Sequence, residues 1–216
     1  MTGLRGRGAR SLAVLLAIAL PGCGGLLPDP PKRQLYRLEP ALAQPAARLP
    51  QVPVQLLVAV PLAPAGLDTS RIALSRTPLS LDYFADSEWA DRAPLLVQSA
   101  LIDAFEKSRA VGSVARDSAA FRADFVLETT IRDFQAAYDA PNGPPRVSVA
   151  LNAKLVKIPE RKIVGQTTLS REAAVAANDV PAVVRAFGEA LGAAAGDLVA
   201  WTVTNPGLSQ RRASLH

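Results

Sequence analysis

Cysteine occurs once in the 216 residues, as Cys23, and histidine once, as the terminal His216. A lone cysteine cannot form a disulfide within the chain, so burial must hold the fold together. The same scarcity excludes metal sites of the His/Cys type and a Ser-His-Asp arrangement. No glycine-rich phosphate loop is present, because Gly22, Gly24 and Gly25 cluster around Cys23 and the other glycines are scattered. No cofactor is therefore expected. An excess of one charge sign is missing as well. The formal charge of +5 comes from 24 basic and 19 acidic residues, and five of the basic ones are Arg5, Arg7, Arg10, Arg211 and Arg212 near the two ends. Without them the body is neutral, with no basic cluster, and no nucleic-acid partner is expected.

A run long enough to cross a bilayer is also absent from the N-terminus. The arginines at 5, 7 and 10 precede an apolar run from Leu12 to Leu20, about half the roughly 20 residues a transmembrane helix needs. This layout is that of a secretory signal, residues 1–22, to be removed. Leu20-Pro21-Gly22-Cys23 resembles the lipobox of bacterial lipoproteins, with a leucine three residues before the cysteine and a small residue directly before it. That resemblance implies cleavage before Cys23 and attachment of diacylglycerol to its thiol, with acylation of the new amine as a further step. Two or three acyl chains hold a protein on a membrane essentially permanently.

Residues 24–33, rich in Gly and Pro, read as a tether. A single α+β domain is expected over 34–203, with a polar, disordered tail over 204–216. Strands are expected at Gln34–Leu38, at Val52–Val60, which is nearly continuously apolar as in a strand buried on both faces, and at the alternating pair Arg71–Arg76 and Pro78–Phe84. The pair is expected to form a hairpin. The helical pattern Asp91–Lys107 places Asp91 in the first turn. A short strand, Gly112–Ala115, precedes an antiparallel meander of Asp124–Phe134, Pro145–Ile158 and Lys162–Glu172. A second helix, Pro181–Trp201, capped by Asp179 and ended by Asn205-Pro206-Gly207, carries Val184, Phe187, Leu191, Ala194 and Leu198 on one stripe, with Gly192 and Gly196 on the other side. The fold class that follows is α+β, an antiparallel or mixed sheet with two main helices on one face.

Two groups of residues invite a functional reading. Carboxylates around Trp89 (Asp82 with Asp86, Glu88 with Asp91) could be paired for general acid/base work, or be the solvated end of a strand and start of a helix; the second reading fits their neighbourhood, and no enzyme is expected. Tyr83, Phe84 and Trp89 gather aromatics in a chain that has few. They are either a contact for a partner or lipid, or the closure of the core where strand meets helix.

The order of features resembles the auxiliary lipoproteins of ABC-type transporters that accompany MCE-domain lipid transport systems, a group including the paraquat-inducible outer-membrane lipoprotein. The residues that carry it are the lipobox, Leu35-Tyr36-Arg37-Leu38, the strand Val54–Val60, Arg71-Ile72, Leu81-Asp82-Tyr83 ahead of Trp89, Phe125-Val126-Leu127 leading into Ile131-Arg132-Asp133-Phe134, and the Ala-rich helix closing at Trp201. The resemblance implies a non-enzymatic partner of an MCE-domain protein, a permease and an ATPase, moving phospholipid or other hydrophobic molecules between the envelope membranes, with no catalytic residues. Gly24, where some bacteria use aspartate to retain a lipoprotein in the inner membrane, implies an outer-membrane address, the inner membrane being the other option. A rival from another class is an envelope assembly or regulatory lipoprotein that activates a cell-wall synthase or helps insert an outer-membrane protein.

Overall fold

The period-2 segments become the longest strands. In a computed structural model that describes residues 33–42, 49–116, 122–140 and 143–209, β6 (Phe125–Ala137), β7 (Arg146–Lys157) and β8 (Lys162–Ala174) form the expected antiparallel meander. Phe125, Leu127, Thr129 and Ile131 of β6 point inward, and then Phe134 and Ala136 do. The parity changes because Arg132 is an extra residue in the register between Ile131 and Asp133, a β-bulge that turns the next side chains over.

β7 occupies one edge of β6, and two separate arms share the other. The first half of β6 runs parallel to β2 (Val52–Val58), which pairs in turn with β5 (Val111–Arg116). Its last residues run parallel to β3 (Arg71–Ser75), followed by β4 (Asp82–Trp89) and β1 (Gln34–Tyr36). The result is one curled, mixed sheet of eight strands. Leu56, Leu57 and Val58, which have parallel neighbours on both edges, are all buried, whereas Pro53 and Gln55 before them are exposed, so the burial on both faces expected for the whole strand holds only at its end.

Two helices cover the inner face. α2 (Val180–Thr204) lies along β7 and β8, and α1 (Ala93–Ser108) packs on α2, β5 and β2. Phe187, Leu191, Ala194 and Leu198 of α2 meet Val97, Leu101 and Phe105 of α1 in one core. The α+β class expected from the sequence is the class of this fold. Asp179 caps α2, its carboxylate accepting from the Ala182 N–H at 2.7 Å.

Three local expectations are corrected. Pro78–Leu81 is not strand but the turn between β3 and β4: Pro78 has no N–H to give a ladder, and the Ser80 hydroxyl accepts from the N–H groups of Arg76 and Thr77. Asp91 lies before α1 rather than in its first turn, its side chain accepting from the Arg92 N–H at 2.7 Å, because Pro94 fixes the helix start at Ala93. The chain also stays folded past residue 203: Pro206–Ser209 makes a short helix, α3, and Leu208 is buried. The expected signal over 1–22, Cys23, the expected tether up to residue 32 and the residues after 209 lie outside the described residues.

Glycines on α2 admit the segment that follows β1. The Ala41 N–H donates to the Gly188 carbonyl at 2.9 Å, and a Cβ on Gly192 would sit 2.4 Å from the Ala41 carbonyl oxygen. A side chain there must push backbone aside. Gly192→Ala is expected to cost roughly 1–3 kcal/mol by overpacking, read as a lower denaturant midpoint. Gly196, one turn on, has no described atom within 4 Å of a Cβ position, and Gly196→Ala is expected to raise the midpoint through helix propensity.

Candidate functional site

Trp89 closes the core where β4 hands over to α1. Its ring meets Phe187 edge-on at 5.2 Å and Phe134 at 6.1 Å, and it is 1% exposed. Its indole N–H is buried without a hydrogen-bond partner among the described residues. Tyr83 and Phe84, by contrast, are half-buried. The difference arises in β4: Arg71 pairs with Glu88 and Ala73 with Tyr83, so an irregularity containing Asp86 in the left-handed conformation (φ 50°) reorients the strand between them. The Arg71 guanidinium stacks 3.6 Å from the centre of the Tyr83 ring, whose hydroxyl donates to the Gly66 carbonyl at 3.0 Å. Trp89 thus has no surface to offer, whereas Tyr83 and Phe84 keep part of theirs.

Three of the four nominated carboxylates are engaged locally, and Asp86 sits at the exposed irregularity of β4. Asp82 accepts from the next residue's N–H at 2.8 Å, Glu88 pairs with Arg33, and Asp91 accepts from the Arg92 N–H. The structure does not bring them together around a cleft. Among the described residues no group of three or more His, Cys, Asp or Glu side chains could hold a metal ion.

The outer face of the meander is polar apart from one row at its end, Val126, Val156 and Ile163, where Ile163 is exposed. Opposed residues read Glu128, Lys154, Gln166 in one row, Thr130, Asn152, Thr168 in the next, and Gln135, Ser148, Glu172 beyond them. Asn152 donates to the Thr168 hydroxyl at 2.9 Å and to the Thr167 carbonyl at 3.2 Å. Arg146 bridges Asp139 and Glu172, each at 3.2 Å. Burial pushes the Asp133 carboxyl above its usual range, with nearby Glu172 adding to the shift and hydrogen bonds from Ser148 and the Phe134 backbone opposing it. Both helices lie on the other face, so this layer of hydroxyl, amide and paired charged groups is suited to hydrogen bonding with another surface. The sequence carried the signal in the non-apolar half of each alternation.

At the far end of the meander, an open cleft of about 540 Å³ is lined by Arg122, Asp124, Lys157 and Glu160 with Pro53 and Phe125. Lys157 and Glu160 pair at 2.9 Å, which holds the Glu160 carboxyl below its ordinary value. Asp124 accepts from the Gln55 N–H at 2.9 Å. The charged residues that line the cleft, two basic and two acidic, balance.

Against this fold and these surfaces stand the comparisons with known proteins. Residues 36–199 match the family model of the ABC-type transport auxiliary lipoprotein component, and the chain belongs to that family. It is 34% identical over 149 residues to an uncharacterised protein of Bradyrhizobium diazoefficiens, a match covering 68% of this chain and 39% of that protein, so the chain spans well under half the length of this relative. A crystal structure of a Xanthomonas campestris protein superposes with a TM-score of 0.74 at 30% identity, covering 83% of this chain and 98% of the other. A second crystal structure shares the fold, with a TM-score of 0.61 at 14% identity over 78% of this chain and 97% of the other. The family is an auxiliary component of transport rather than an enzyme family. Among the described residues no helix is long and apolar enough to cross a membrane.

Proposed function

We propose that this chain is a periplasmic accessory subunit of an MCE-type ABC transport system, anchored by acylated Cys23 in the outer membrane and assisting the passage of phospholipid or another hydrophobic molecule. The family match over residues 36–199 carries this reading, since it ties the folded body to ABC-type transport. The lipobox at Leu20–Cys23 supports the anchor and Gly24 the outer-membrane address. The body then works by binding. Its polar outer sheet face, with the partly exposed rings of Tyr83 and Phe84 on β4, is the surface assigned to the MCE protein or the permease. Affinity purification of the acylated protein from cross-linked envelopes tests the reading, with recovery of an MCE-domain subunit as the expected result. Recovery of a cell-wall synthase or a barrel-assembly protein in its place would favour the rival regulatory role.

A further inference from the structure

One side chain of the fold is wholly unused. Leu79, at the tip of the β3–β4 hairpin, is 100% exposed, and Leu81 beside it is 45% exposed. An isolated surface leucine is ordinary, but here the turn around it leaves little of its own backbone to solvate. Its polar backbone is largely satisfied from within: the Ser80 N–H donates to the Thr77 carbonyl at 3.1 Å, the N–H groups of Arg76 and Thr77 reach the Ser80 hydroxyl, and Pro78 has no N–H at all. Such a turn can leave water with few unpaired donors. Its base is fixed, because Leu81 lies over Gly66 and the Tyr83 hydroxyl holds the Gly66 carbonyl. Below the leucines, the Arg76 guanidinium lies over the Tyr138 ring at 5.1 Å, an apolar body with a polar end at the height a headgroup layer would take.

We propose that this hairpin tip is a second membrane contact, in which Leu79 and Leu81 enter the acyl region of a phospholipid surface while Arg76 and Tyr138 remain at the headgroups. The proposal rests on the anchoring of Cys23. Residues 24–32 separate that cysteine from Arg33, and covalent geometry limits their span to about 35 Å. The described chain begins at Arg33, paired with Glu88 on β4, and about six strand residues, or roughly 20 Å, separate that end of β4 from the tip. The bilayer holding the lipid is therefore within reach of the hairpin. One leucine would be too weak to recruit a free protein, but a tether raises the local concentration to the order of millimolar. Asp82 lies at the same base and offsets the charge of Arg76, so apolar insertion rather than attraction to anionic lipid is the driving term, and zwitterionic vesicles suffice.

With the Cys23 thiol consumed by lipid, a cysteine introduced as Leu79→Cys becomes the one free thiol of the chain. The acylated full-length protein carrying an environment-sensitive fluorophore there is reconstituted in phosphatidylcholine vesicles, with Glu160→Cys, at the opposite end of the meander, as control. Expected are a blue-shifted emission and severalfold quenching by lipids brominated on their acyl chains at position 79, and neither at 160. A label-free measurement guards against capture of the dye itself: amide exchange over 77–81 should slow on vesicle binding, and the slowing should be lost in Leu79→Asp. Protein that floats with the vesicles while position 79 reports water and exchange is unchanged overturns the hairpin contact and leaves the anchor standing. Protein that carries no acyl chain by intact mass and does not float overturns both.

Discussion

Trp89→Ala lowers the unfolding free energy by about 3–5 kcal/mol, the usual cost of deleting a large buried aromatic without collapse of the cavity. For a domain of this size that is a fall in melting temperature of roughly 6–20 °C. The magnitude follows from its position: Trp89 is 1% exposed and packs with both Phe134 of β6 and Phe187 of α2, whose rings meet at 4.7 Å. Removing it opens a space between the sheet arm and the long helix. Trp89→Phe is expected to be far milder, because it keeps an aromatic body and removes a buried N–H that has no partner among the described residues. Calorimetry on the two variants decides the role. A surface contact would leave both near the parent, whereas a core residue separates them by several degrees.

On the proposed anchoring, Cys23→Ala is expected to abolish acylation. Each buried methylene contributes about 0.8 kcal/mol, so two or three chains make dissociation negligible, and no other residue can take the thioether that cysteine forms. The variant is expected to incorporate no labelled fatty acid and to lose the cleavage between Gly22 and Cys23, seen as a heavier polypeptide without the lipid mass. Incorporation that persists in this variant would remove Cys23 from the account. The consequence reaches the hairpin as well, since Leu79 depends on being held near the bilayer.

The fold was legible where one face of an element is apolar over many residues. β6, β7 and α2 repeat their inward positions often enough that no alternative register buries the same side chains. Pro78-Leu79-Ser80-Leu81 misled because a turn whose apolar residues fall at alternate positions has the period of a strand, although Pro78 and Ser80 carried the contrary signal. Leu208 was missed because a single core residue has no period. Gly192 read as part of the polar side of α2, yet it lies under backbone that arrives from residues 39–42, a pairing about 150 positions apart that no local pattern encodes. The branching of β6 between two arms was hidden for the same reason. Of the candidate contact residues, Trp89 separated from Tyr83 and Phe84 only through the irregularity at Asp86, whose left-handed backbone is a tertiary outcome. The polar outer face needed the register of three strands before its rows could be seen.

The folded body belongs to the ABC-type transport auxiliary family, and the role proposed for it is that of a tethered binding partner. Affinity purification of the acylated full-length protein from cross-linked envelopes, with mass spectrometry of what accompanies it, tests that role most directly. The account predicts recovery of an MCE-domain subunit together with a permease or ATPase, reduced when charges are reversed on the outer rows at Lys154 and Glu172. Recovery of no transporter subunit from envelopes in which the protein is acylated and folded would contradict it.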